Sequence, residues 1–334
     1  MVKIAIIDEK APTTLSKRIY DTLKRNKFDV ELLVNIIKKK KGLINTVLRY
    51  SSYLLLTLRR INNVLHVINT PYLPYTTALC GQNIVLHYTD EVVLKMRRSS
   101  RKIVRAASNI VSSIEDFFLR KSIAIITPNY YLRDYLAKFK GVRKSKIITI
   151  PNLPTKDFKP KNIIKIRKRR PIVIFVGTLR EIFDWDLIIE SAKKLEDKVD
   201  FWILGTGEYF EYLKRRAPSN VKLFGWVDYR FVPDYIQYAD AAIVPLKEGH
   251  AMFGDHFSVM KVAEYAALRI PIIATGLRPS KQYLLVKGNI WDFVDGILKA
   301  IRGEVRKPKP FFWEDISERK LVTLYRTILS HLVD

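Results

Sequence analysis

The 334-residue chain holds a single cysteine, Cys80, so an intramolecular disulfide framework is excluded and nothing signals an oxidising compartment. No uninterrupted apolar run is long enough to span a bilayer, which argues against an integral helical membrane protein. Acidic residues are scarce beside basic ones: 33 Asp+Glu face 59 Lys+Arg, a formal net charge of +26. Glycine is missing before Gly42, so the first strand-to-helix connection has no glycine-rich loop. Met1 to Asp8 reads directly as a buried strand rather than a signal peptide, and a cytoplasmic location is expected. No internal repeat is evident.

The basic excess is uneven. Residues 1–165 hold 32 Lys+Arg against 11 Asp+Glu, whereas residues 166–334 hold 27 against 22. Such a surplus attracts phosphate polyanions or an anionic membrane face, and solubility by charge is the plainer account. Lys38 to Lys41, the apolar and aromatic stretch Thr46 to Leu58, then Arg59 and Arg60 resemble an interfacial helix at the inner face of the cell membrane. Packing of Leu54, Leu55 and Leu58 on a sheet is the competing reading. A second basic helix is expected over Leu94 to Ser112, with Arg98, Arg101, Lys102 and Arg105 on or near one face. Nucleic acid is not favoured as a partner, since no RNA-binding or helix-turn-helix motif accompanies the charge.

The length suits two domains. From Pro171 to Gly276, apolar runs that read as strands buried on both faces alternate with helical stretches. The strands are Ile172 to Val176, Phe201 to Leu204, Val221 to Phe224, Ala241 to Val244 and Pro271 to Ala274. The helices are Asp186 to Leu195, Tyr209 to Arg216, Val232 to Tyr238 and Ser258 to Leu268. This is the pattern of an α/β fold with open parallel sheets flanked by helices, in which ligands bind at the carboxyl ends of the strands. The first half offers strands over Val2 to Ile7, Phe28 to Val34, Val64 to Ile68, Ile84 to Tyr88, Ile123 to Ile126 and Lys146 to Ile150. Lys156 to Arg170 is polar and aperiodic, as a linker would be.

Five segments, in order, carry a resemblance: Phe175 to Leu179, Ile203 to Gly207, Val221 to Val227, Ala239 to Leu246, and Ser258 to Ala267 before Pro271. Together they resemble the donor-binding half of a GT-B glycosyltransferase of the family 4, or group 1, superfamily. The resemblance implies two Rossmann-like domains with a cleft between them. Residues 1–155 would bind the acceptor, 156–170 link, 171–310 bind the nucleotide sugar, and 311–334 form a final helix packing back on the first domain. It also implies sugar transfer from a nucleotide diphosphate donor to a hydroxyl of a glycan or lipid-linked acceptor. No cofactor and no metal are expected, because Asp184 in Asp184-Trp185-Asp186 reads as a helix N-cap. His250, Asp255 and His256 form only a weak ligand-like cluster. The alternatives are a nucleotide-sugar epimerase of the same fold and a non-catalytic basic binding protein.

The resemblance assigns site residues one by one. The first-turn amides of the helix near Ser258, with Lys261, would face the diphosphate, and Glu264 would hold the ribose hydroxyls. A solvent-facing helix pair is the competing account of Lys261 and Glu264. Members of the family often carry a second glutamate where this chain has His256. They often carry a lysine after the first strand of this half, where this chain follows Gly177 with Arg180 and no lysine. Trp226 and Val227 would meet the nucleobase, though Trp226 could equally be a packing residue. Gly205 and Gly207 would permit close approach of ligand to backbone. In the first domain, Asp90 is the candidate base for an inverting reaction and His87 the group that orients the sugar in a retaining one.

Overall fold

The computed structural model describes residues 3–8, 13–33, 64–68, 83–89, 92–97, 102–248, 256, 257 and 259–333, with 48, 51, 52 and 55. The stretch 34–63, which carries the expected interfacial helix, therefore lies almost wholly outside the described residues, as do Asp90, His250, Asp255 and Ser258.

The described chain divides into two compact units: residues 1–150 with 318–334, and residues 151–317. In the first, β1 (Ile4–Asp8) leads to α1 (Thr14–Arg25), followed by β2 (Val30–Leu33), β3 (Val64–Ile68) and β4 (Asn83–His87). Then come α2 (Val92–Arg97), α3 (Lys102–Lys121), β5 (Ala124–Thr127), α4 (Tyr130–Phe139) and β6 (Ile147–Thr149). All six strands run parallel in the order β2-β1-β3-β4-β5-β6. The side chains of β1 and β3 are buried throughout, as their largely apolar runs suggest, with Asp8 and His66 the polar residues among them. A capping box starts α1: Thr13 Oγ1 accepts from the Ser16 amide, and Ser16 Oγ accepts from the Thr13 amide at 2.9 Å. The expected helix over Leu94 to Ser112 is two helices, α2 and α3, on either side of residues 98–101, which are outside the described residues.

The second unit contains β7 (Ile172–Val176), α5 (Trp185–Lys194), β8 (Asp200–Leu204), α6 (Phe210–Arg216), β9 (Val221–Gly225) and α7 (Val232–Ile236). It continues through β10 (Ala241–Pro245), α8 (Met260–Ala267), β11 (Ile272–Thr275), β12 (Leu284–Leu285) and α9 (Ile290–Ile301). Its sheet is also six-stranded and parallel, in the order β12-β11-β10-β7-β8-β9. The last helix, α10 (Trp313–Val333), starts in this unit, where Ser317 Oγ donates to the Pro151 carbonyl at 2.6 Å. Its residues from Glu318 onward belong to the first unit, where Glu318 pairs with Arg25 at 2.6 Å.

The stretch 156–170, expected as a linker, is fixed to the second unit. The Lys161 and Ile163 amides donate to the buried Asp234 carboxylate at 3.1 and 3.2 Å, and Lys168 pairs with Asp240. Phe158 is also buried in that unit's core, and Arg170 pairs with Asp200 at 2.7 Å. Polar composition hid this, because one aromatic and a few polar contacts make the attachment without a periodic apolar pattern. Asp184 caps α5, accepting from the Leu187 amide at 3.0 Å. Asp184→Ala should therefore cost about 1 kcal/mol in chemical denaturation, with no change in ligand response.

Candidate active site

Three strands of the second unit end side by side in glycine, Gly177 at β7, Gly205 at β8 and Gly225 at β9. The loops that follow continue the ladder: the Gly177 amide donates to Leu204 O at 2.9 Å, Leu179 to Thr206 O at 3.0 Å, and Gly205 to Gly225 O at 2.7 Å. The close approach that Gly205 and Gly207 permit is therefore backbone to backbone. A Cβ on Gly205 would overlap the Gly177 carbonyl oxygen, and one on Gly207 would lie 2.5 Å from the Leu179 carbonyl oxygen.

Helix α8 packs against the end of β7 through residues spaced four apart, which share one helix face. Tyr265 is buried, and its phenol oxygen accepts from the Val176 amide at 2.8 Å. Burial also pushes the phenol's pKa up, so it remains protonated. One turn earlier, the Lys261 side chain reaches Gly177, where a Cβ would lie 3.2 Å from Nζ. Nζ sits 3.8 Å from the ring centroid of Phe183 and 4.2 Å from that of Phe175, both buried. Lys261 and Glu264 are 8% and 4% exposed, so they are not a solvent-facing pair. Burial lowers the Lys261 pKa to about 7, the nearby Glu264 carboxylate opposes that shift, and Arg180 adds to it. Lys261 thus carries a partial rather than a full charge near neutrality.

Arg180 is exposed, with its carbonyl accepting from the Trp185 indole at 2.8 Å. Trp226 is 74% exposed just past β9, which rules out a core-packing role, and Val227 beside it is half-buried. The ring of His256 packs against Phe257 and Phe311, with Nδ1 3.3 Å from Ser280 Oγ. The helix expected from Ser258 begins at Met260, and its N-cap residue Val259 makes no side-chain cap bond. Among the described residues no group of His, Cys, Asp or Glu is placed to hold a metal ion.

In the first unit His87, the last residue of β4, is buried at the carboxyl edge of its sheet. Its Nδ1 lies 3.2 Å from His66 Nε2, and His66 Nδ1 lies 2.6 Å from the Tyr325 hydroxyl. Burial lowers the His87 pKa to about 3, too low for an effective base at neutral pH. Sequence reasoning did not single out His66, Tyr325, Phe183 or Tyr265. The one available signal was a polar residue, His66, inside the apolar strand Val64–Ile68.

Residues 170–302 match the family described as Glycosyl transferases group 1, and the glycine-ended strands, Lys261 and Glu264 lie within the matched segment. The fold is that of the GT-B glycosyltransferases. Sucrose-phosphate synthase from Thermosynechococcus elongatus is similar, with a TM-score of 0.71 at 12% identity over 99% of this chain and 100% of that one. Anabaena HepE in complex with UDP and glucose gives 0.67 at 14% identity over the whole of both chains. The UDP-GlcNAc 2-epimerase of Methanocaldococcus jannaschii gives 0.61 at 12% identity, over 97% of this chain and 100% of that one. No curated protein matches in sequence. The family match over residues 170–302 supports a glycosyltransferase, while the low identities to the neighbours speak for the fold alone.

Proposed function

We propose that the protein transfers a sugar from a nucleotide diphosphate donor, held by the second unit, to a hydroxyl of a lipid-linked or membrane-associated glycan, without a metal ion. The observation that carries this reading is the buried pair Lys261 and Glu264 at the glycine-ended strands of the matched segment. A charge-poor lysine beside an exposed arginine suits a diphosphate, and a buried carboxylate suits the two hydroxyls of a ribose. In the reaction the acceptor oxygen bonds to the anomeric carbon and the bond to the β-phosphate breaks. Lys261, Arg180 and the amino end of α8 take up the charge of the leaving diphosphate. Trp226, Val227, His256 and Ser258 complete the donor contacts. Asp90 takes the acceptor proton if configuration inverts, and the leaving phosphate takes it if configuration is retained.

The acceptor side of the proposal rests on charge and on α3. Ile103, Ile110 and Phe117, spaced seven apart, are exposed along this helix beside the exposed Lys102, Arg105, Arg120 and Lys121. An apolar stripe with basic neighbours suits an anionic lipid surface. No helix among the described residues is long and apolar enough to cross a membrane.

Product analysis tests the reaction. Incubated with a nucleotide sugar and a lipid extract, the protein is expected to move label into the lipid fraction. An isomerised nucleotide sugar formed without acceptor would instead favour the epimerase reading, which the structural likeness to an epimerase keeps in view. Neither product would leave a binding protein.

A further inference from the structure

The stretch 156–170 holds eight Lys+Arg against a single acid, Asp157, and the second unit pins it along its length. Asn162 has a φ of 57°, which lets the amides on either side of it converge on the Asp234 carboxylate. The Tyr238 hydroxyl then donates to the Ile164 carbonyl at 2.7 Å.

From Ile163 onward the chain alternates. Ile164 and Ile166 are half-buried, Ile166 against the core, and Lys168 and Arg170 turn to Asp240 and Asp200. The residues between them face outward: Ile163 is 61% exposed, and Lys165, Arg167 and Arg169 are exposed as well. A period of two is that of extended chain, so the outward side chains follow one another at intervals of roughly 7 Å. The inward cations are neutralised by carboxylates. Lys165, Arg167 and Arg169 pair with no carboxylate among the described residues.

A loose basic tail would spread its charges into solvent. A pinned one presents them together, and little conformational freedom is left to lose when a partner binds. Charge alone would suit any polyanion, but the company of these cations discriminates. Single-stranded nucleic acid is gripped by aromatic stacking as well as by charge, and none of the four outward residues is aromatic. An exposed apolar side chain in line with cations is instead the complement of a bilayer face, where phosphates lie above the acyl boundary.

We propose that residues 163–169 form a docking strip for the anionic phospholipid face of a membrane. Lys165, Arg167 and Arg169 meet head-group phosphates, and Ile163 meets the acyl boundary. The inference goes beyond the transferase reading and does not require it, since adsorption to lipid is measured without sugar transfer.

The test is sedimentation of the full chain with vesicles of phosphatidylcholine alone, or of phosphatidylcholine with phosphatidylglycerol. The natural protein should bind the anionic vesicles only, and more weakly as salt is raised. Lys165→Gln, Arg167→Gln and Arg169→Gln, combined, should weaken that binding on the order of a hundredfold. A control carrying Lys198→Gln, Lys214→Gln and Arg215→Gln removes the same charge from other exposed positions of the unit and should lose less than about tenfold. Equal losses in the two triple variants would reduce the effect to net charge and overturn the proposal. Failure of the natural protein to bind anionic vesicles, or equal binding to both kinds, would also overturn it. So would a strip variant that keeps vesicle binding and loses binding to a single-stranded oligonucleotide, which would assign the strip to nucleic acid. If the strip variant does not fold, Arg167→Gln alone decides, with an expected loss of about fivefold and no loss as the contradicting result.

Discussion

Gly205→Ala is expected to destabilise the second unit by about 4 kcal/mol, a large share of the stability of an ordinary domain. Gly205 has a φ of 142°, and an added methyl would overlap the Gly177 carbonyl oxygen and come within 2.9 Å of its carbonyl carbon. Neither backbone can yield easily, because both belong to the ladder that joins the ends of β7, β8 and β9. Gly225→Ala is the control. Its φ of 68° is left-handed, but a Cβ there meets nothing within 4 Å, so the cost should be only about 1–2 kcal/mol. All five tryptophans lie in the second unit, so tryptophan fluorescence during guanidinium unfolding reports that unit directly. Equal losses in the two variants would show that the loops at these strand ends do not pack as described.

Lys261→Met should stabilise the protein at neutral pH while abolishing its response to nucleotide. Burial lowers the Lys261 pKa from 10.5 to about 7, so between those values the unfolded chain binds more protons than the folded one. Stability of the natural protein should therefore rise with pH from about 7 to about 10, by a few kcal/mol from this group, and that rise should be missing in Lys261→Met. Below the folded pKa the lysine is charged in both states and its penalty is constant, so at about pH 6 the variant should be the more stable of the two. A residue that lowers stability in this way is understandable if an anion repays it. Phosphate oxygens beside Nζ would raise its pKa, so nucleotide binding at about pH 8 should take up close to one proton. Calorimetry in buffers of different ionisation enthalpy measures that uptake. Binding without proton uptake would place Lys261 away from the phosphates.

Much of this architecture is legible because a strand in a parallel sheet is buried on both faces and reads as one apolar run ended by glycine or proline. Ile172–Val176 and Ala241–Pro245 are of this kind. The two-residue strand Leu284–Leu285 is too short to give a pattern. Helix α9 goes unread although Asn289 caps it by accepting from the Asp292 amide at 2.9 Å. Lys261 and Glu264 are readable as a pair, since their spacing places them one turn apart. Their burial is not, because it depends on Phe175 and Phe183, which reach the site from β7 and the loop after it. The histidine chain is the extreme case. His66 and Tyr325 are 259 positions apart, and no local pattern signals a hydrogen bond across that distance.

The most direct test of the account is a thermal-shift titration with UDP, GDP and ADP, without added metal, on the natural protein and on Glu264→Ala. One nucleotide should stabilise the natural protein selectively, by about 2.7 kcal/mol at roughly a hundred times its Kd, and the shift should vanish in the variant relative to its own melting point. No response of the natural protein to any of the three would contradict the donor site and with it the transferase reading.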